Sequence, residues 1–128
     1  MKQLFLILML VFCTATVEAT DTDTSYTSEN GQQVFVEYYA DGSIKTEGQY
    51  DALSNKIGVW YGYYANGSKS VKATFSMDNR HGTWEHYDME GNLILKLVYK
   101  YNKVVEGWMA KDGVLVQYNR DSDFLTRN

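Results

Sequence analysis

The chain has 128 residues and carries 12 Lys plus Arg against 16 Asp plus Glu, a formal net charge of −4 at pH 7. That length allows one domain, and an acidic balance without a basic stripe excludes nucleic acid as the expected ligand, because nothing displaces phosphate counterions. One cysteine, Cys13, and two histidines, His81 and His86, leave little from which to build a thiolate or zinc centre.

In chain order, Lys2 is followed by an unbroken apolar run from Leu4 to Phe12, then by small and polar residues ending in Val17-Glu18-Ala19. This layout predicts a secretory signal peptide over 1–19, cut after Ala19, with Ala15 as the alternative. The run is too short for a stable membrane span, which takes about 20 apolar residues. A lipid anchor at Leu10-Val11-Phe12-Cys13 fits poorly, since Phe12 stands where a small residue is wanted. Cleavage removes Cys13 and leaves the charge at −4, so the exported chain is expected to rely on packing in the periplasm, cell envelope or outside the cell. Residues 20–31, rich in Thr, Ser, Asp and Glu, read as a flexible leader. The folded domain is expected over 32–119, with a tail over 120–128.

Within that domain the aromatic residues keep a spacing. Trp60, Trp84 and Trp108 stand 24 apart, with Phe35 25 before the first. Gly42, Gly67 and Gly91 follow Phe35, Trp60 and Trp84 by seven residues, and Tyr50, Phe75 and Tyr99 follow each glycine by eight. Such a period marks a repeat of one small unit, anchored by Phe35, Trp60, Trp84 and Trp108 and turned at the glycines. After each glycine apolar and polar residues alternate, as in Val71-Lys72-Ala73-Thr74-Phe75, the signature of a strand with one buried face. The pairs Asp41-Gly42, Asn66-Gly67, Glu90-Gly91 and Asp112-Gly113 predict type I′ hairpin turns. The stretches 51–58, 76–82 and 100–107 read as return loops. The expected fold is all-β, an antiparallel meander of successive β-hairpins with about eight short strands at 33–39, 43–50, 59–64, 68–75, 83–88, 92–99, 107–110 and 114–119. Gly48 and Ala73 leave room for a neighbouring aromatic to lie across the strand, whereas Leu97 fills that room in a terminal unit.

Gly58-Val59-Trp60 with Tyr63-Tyr64-Ala65-Asn66-Gly67, and Gly82-Thr83-Trp84 with Tyr87 and Gly91, resemble the bacterial MORN-variant repeat. The match covers about residues 33–119. Chains built from this repeat are commonly labelled YwqK-like antitoxins, so the resemblance implies a β-hairpin repeat sheet and a protein partner of toxin–antitoxin type. The ends depart from the pattern: Phe35 replaces a tryptophan, and Gly107 directly precedes Trp108. The signal peptide also conflicts with neutralising a cytosolic toxin, which favours an immunity-like role at the envelope.

No catalytic, cofactor or metal constellation emerges. His81 and His86 are five apart, would fall on opposite faces of a strand that held both, and lack further ligands; His81 reads as a loop residue between Arg80 and Gly82. The acids Asp41, Asp78, Asp88, Glu90 and Asp112 sit in turns and loops, where aspartate bonds to its own backbone. Nothing selects a carboxylate pair for glycosidase chemistry. The remaining lead is tyrosine, with Tyr61, Tyr63 and Tyr87 as the candidate partner-binding residues. The sequence therefore predicts a non-enzymatic module binding another protein. Stacking of glycan or cell wall on those tyrosines is the alternative, as is an envelope component self-associating through Ile94, Val98, Val104 and Val105.

Overall fold

The computed structural model describes residues 24–29 and 31–118. The expected signal peptide over 1–19 and the tail over 120–128 lie outside the described residues. Among these residues the structure is all-β, one antiparallel sheet of ten strands. They are β1 (Thr24–Glu29), β2 (Gln32–Tyr38), β3 (Ile44–Tyr50), β4 (Lys56–Tyr63), β5 (Lys69–Ser76), β6 (Asn79–Arg80), β7 (Gly82–Tyr87), β8 (Leu93–Lys100), β9 (Lys103–Lys111) and β10 (Val114–Gln117). The order is a meander with β1 and β10 at its two edges; β6 pairs with β5 and leads past His81 into β7. No helix among these residues is long and apolar enough to cross a membrane.

Pairing begins earlier than expected. β1 lies inside the stretch read as a flexible leader and pairs with β2 from Thr24↔Glu37 to Glu29↔Gln32. The polar composition hid one useful residue, Tyr26, whose ring sits 5.7 Å from that of Phe35.

The turns also differ from expectation. At Gly42, Gly67 and Gly91 only the glycine has positive φ, at 85°, 85° and 89°. The Gly42 amide donates to the Tyr39 carbonyl and the Tyr39 amide to that of Ser43, which makes a three-residue loop with a type I turn and a left-handed glycine. Asp112-Gly113 does form the predicted I′ turn, with φ of 52° and 77°. So do Met77-Asp78 and Tyr101-Asn102, where both φ values are positive. The expected return loops 76–82 and 100–107 therefore shrink to two-residue turns flanked by strand.

One face carries the packing. Rings run across the sheet from Tyr26 through Phe35, Tyr50, Trp60, Phe75 and Trp84 to Tyr99, with successive centroids 5.0–6.2 Å apart. Large residues face small ones: Trp60 pairs with Ala73, Phe75 with Gly58 and Tyr99 with Gly82. A Cβ at Gly48 would fall 2.1 Å from the Trp60 ring, so the indole lies directly across this glycine as the sequence suggests. Trp60 and Ala73 are each 4 % exposed and Tyr99 8 %.

Trp108 does not join this row. Leu97 pairs with Gly107, and Trp108 pairs with Lys96 on the opposite face. Where Trp60 and Trp84 stand two residues after a glycine, Trp108 stands one after, and a one-residue slip moves a side chain through the sheet. Leu97 already covers Gly107, whose Cβ would lie 3.1 Å from Leu97 Cδ2.

Both long edges are stitched at the repeat interval. Tyr39 donates its hydroxyl proton to the Tyr63 carbonyl at 2.6 Å, and Tyr64 to that of Tyr87 at 2.7 Å. At the opposite end the Lys56 amide donates to the Asp78 carboxylate and the Arg80 amide to the Asn102 side-chain oxygen. Trp60→Ala is expected to cost about 3–5 kcal/mol, as for a buried aromatic truncation, and Trp108→Ala well under half of that in urea unfolding. Equal losses would contradict the assignment of the two tryptophans to different faces.

Candidate functional site

The face opposite the rings holds all three tyrosines singled out in the sequence. One pairing row crosses it without interruption: Val36, Glu47, Tyr61, Lys72, Glu85, Lys96, Trp108 and Gln117. Strands lie about 4.8 Å apart, so eight of them place this row along roughly 33 Å. It exists because β-strands send alternate residues to opposite faces: the neighbours of Trp60 and Trp84 that point away are Tyr61 and Glu85.

Tyr63 and Tyr87 share this face because they stand two residues beyond Tyr61 and Glu85 in their strands; a register slip at each hairpin end decides what they face. The slips fall between Gly62 and Tyr63 and between His86 and Tyr87, pairing Tyr63 with Lys69 and Tyr87 with Leu93. The slip also moves Ile44, Lys69 and Leu93 out of the alternation expected after each turn, onto the tyrosine face.

The side chains are then fixed by charge. The Tyr63 hydroxyl donates to Glu47 Oε1 at 2.6 Å and the Tyr87 hydroxyl to Glu85 Oε2 at 2.9 Å. Burial, and then the hydrogen bond to Glu47, pushes the Tyr63 phenol up to about 12; Tyr87 is raised for the same reasons, through Glu85. Lys69 Nζ sits 4.6 Å from the centre of the Tyr61 ring, and Lys96 Nζ 5.3 Å from that of Trp108. Lys72 Nζ lies 3.9 Å from Glu85 Oε2. A shallow depression of about 250 Å3 opens beside Tyr61, bordered by Val34, Glu47, Gln49 and Val59.

Sequence reasoning found the three tyrosines and missed Glu47, Glu85, Lys96 and the second role of Trp108. The signal available was strand parity counted from Trp60 and Trp84, combined with the one-residue shift after Gly107. The sequence's apolar strip is divided by the fold: Val98 pairs with Glu106 on the tyrosine face and Val104 with Tyr99 on the ring face. Phe35, Trp60 and Trp84 lie in the ring row, and Gly42, Gly67 and Gly91 in the loops. His86 pairs with Leu95 near Trp84, its ring 6.4 Å away, and burial lowers its pKa. His81 instead lies at the break between β6 and β7, its ring 4.7 Å from that of Tyr101. Among the described residues no group of three His, Cys, Asp or Glu side chains comes together.

A scan against protein-family models finds no match for this chain, and a search of curated proteins finds none.

The tyrosine–carboxylate bonds have a measurable pH signature. An unfolded tyrosine ionises near pH 10, whereas folded Tyr63 holds its proton to about 12. Below pH 10 the stability linked to the buried, Glu47-bonded phenol is fully present; it is lost as pH rises toward about 12, because ionisation there favours the unfolded chain. The urea midpoint of the parent is expected to fall more steeply over that window than that of Tyr63→Phe. Parallel falls would show that burial and the Glu47 bond do not hold the proton on Tyr63.

Proposed function

We propose that the chain is an exported, non-enzymatic module that binds another protein through its tyrosine-bearing face. The observation that carries this reading is the uninterrupted row from Glu47 to Trp108, in which acids, lysines and aromatic rings follow one another across the sheet. Ion pairs at exposed sites contribute only about 0–1 kcal/mol to stability, and the half-buried Lys72–Glu85 pair is a loose one at 3.9 Å, so fold stability alone does not account for a charged row of this length. Aromatic residues among fixed charges suit a protein interface, where rings supply area and charges set register and partner choice.

The same geometry speaks against sugar stacking. A sugar needs a bare ring face, and Lys69 and Lys96 lie over the rings of Tyr61 and Trp108. The resemblance to MORN-variant antitoxins supports the same class of partner, with an immunity-like role at the envelope where a signal peptide would place the chain.

The test is capture from an envelope extract by the parent and by a Tyr61→Ala/Trp108→Ala variant. One stoichiometric protein is expected with the parent. Loss of two interface anchors, about 2 kcal/mol or more in total, should weaken its binding by at least roughly 30-fold, in a variant that urea unfolding shows to be still folded. Retention on peptidoglycan or polysaccharide with no protein captured would overturn the reading.

A further inference from the structure

Two of the three glycine-turned hairpins carry a tyrosine that the third lacks. Tyr39 and Tyr64 each stand at the start of a three-residue loop and bond to the carbonyls of Tyr63 and Tyr87. Each ring thereby bridges from its own loop to the strand two places on, past the start of the strand between. The corresponding residue in the third unit is Asp88, 24 after Tyr64. Its loop has the same hydrogen bonds, Gly91 amide to Asp88 carbonyl and Asp88 amide to Asn92 carbonyl.

Beside Asp88 the described residues leave an open cleft of about 460 Å3, lined by Asp88, Asn92, Leu93, Ile94, Ala110 and Leu115. Asp88, Asn92, Leu93 and Ile94 follow Tyr64, Ser68, Lys69 and Ser70 by 24 residues, the loop and strand start that the Tyr64 ring bridges. The volume falls within the range of small-molecule and side-chain pockets, roughly 300–1,000 Å3.

We propose that this cleft receives a tyrosine side chain from the partner protein, completing the row begun by Tyr39 and Tyr64. The inference rests on the protein-binding reading for the source of the ring. Leu93, Ile94, Ala110 and Leu115 supply apolar walls. The Asp88 carboxylate accepts the phenol hydroxyl; it already accepts from the Asn92 amide at 2.8 Å and from Asn92 Nδ2, and an ionised carboxylate has acceptor sites to spare. Those Asn92 bonds hold its pKa below the usual carboxylate range, so it stays an acceptor at neutral pH. Glu90 and Asp112 stand exposed in the adjoining loops against Lys111, so the tyrosine is best presented beside basic residues. Phe124 in the chain's own tail carries no hydroxyl for Asp88.

The probe is p-cresol, titrated into the full chain and followed by backbone NMR. Saturable shifts clustered at 88–94 and 110–115 are expected, and both Asp88→Tyr and Ala110→Phe should abolish them. Absence of shifts in the full chain, or their persistence in folded forms of both variants, overturns the proposal. Binding that appears only in a chain ending at Tyr118 also overturns it, because the tail then holds the cleft. Acetyl-Lys-Tyr-Lys-amide should bind about five- to tenfold more tightly than acetyl-Lys-Phe-Lys-amide, the worth of one hydrogen bond; equal affinities would remove Asp88 from the site. The phenol titration needs no partner protein, so its failure is separable from failure of the capture experiment.

Discussion

The fold depends on tryptophan rings laid flat across residues too small to resist them. Domains ordinarily bury an apolar face by packing a second layer on it. Here the described residues form one sheet, and Trp60 lies across Gly48 while pairing with Ala73. The rings act as the missing layer. A ring lying along the sheet covers its neighbour's strand, and several large residues are matched by small ones, Phe75 to Gly58 and Tyr99 to Gly82, whereas Trp84 faces Leu97. Lys56 over Trp60 and Phe75, and Arg80 over Tyr99, add cations to the outer ring surfaces. These two cations are themselves 24 residues apart, so the lid repeats with the strands beneath it.

Such a layer holds only if the strands stay in phase, and the edges see to that. Side chains bond to the backbone of a neighbouring unit at intervals of 21–24 residues: the Tyr39, Tyr64 and Ser68 hydroxyls donate to the Tyr63, Tyr87 and Met89 carbonyls, and the Asn102 side-chain oxygen accepts from the Arg80 amide. These bonds link units across strand ends, where ladder pairing gives way to loops. Stability is therefore shared between neighbours along the stack, as in other repeat proteins. A change in one unit is felt chiefly by the units on either side.

Much of this was legible in the sequence, because a period is visible wherever burial enforces it. The spacing of Trp60 and Trp84, and the small residues Gly48 and Ala73, predicted the meander and the ring packing. What the sequence concealed is parity. Each hairpin end slips by one residue, which no composition signal announces, and the slip carries Ile44, Lys69 and Leu93 through the sheet. β1 was hidden for a different reason: Thr, Ser and Glu read as a leader, yet an edge strand needs little more than backbone pairing and one ring, Tyr26. The two-residue turns at Met77-Asp78 and Tyr101-Asn102 lacked the glycine that usually marks positive φ, so they looked like loops.

The candidate face shows why parity matters more than residue type. Trp60 and Trp108 obey the same spacing, yet one closes the fold and the other lies beside Lys96 on the tyrosine face. The difference is a single residue between glycine and tryptophan. The third unit departs from the other two in three places at once: Leu97 replaces a small residue, Trp108 changes face, and Asp88 replaces a bridging tyrosine. The first two follow from one another, since a leucine that fills the space over Gly107 leaves no room there for an indole. The third is a separate change and leaves the cleft beside Asp88 open among the described residues. The cleft, the carboxylate acceptor beside it and the turned Trp108 thus all belong to one unit at one end of the sheet.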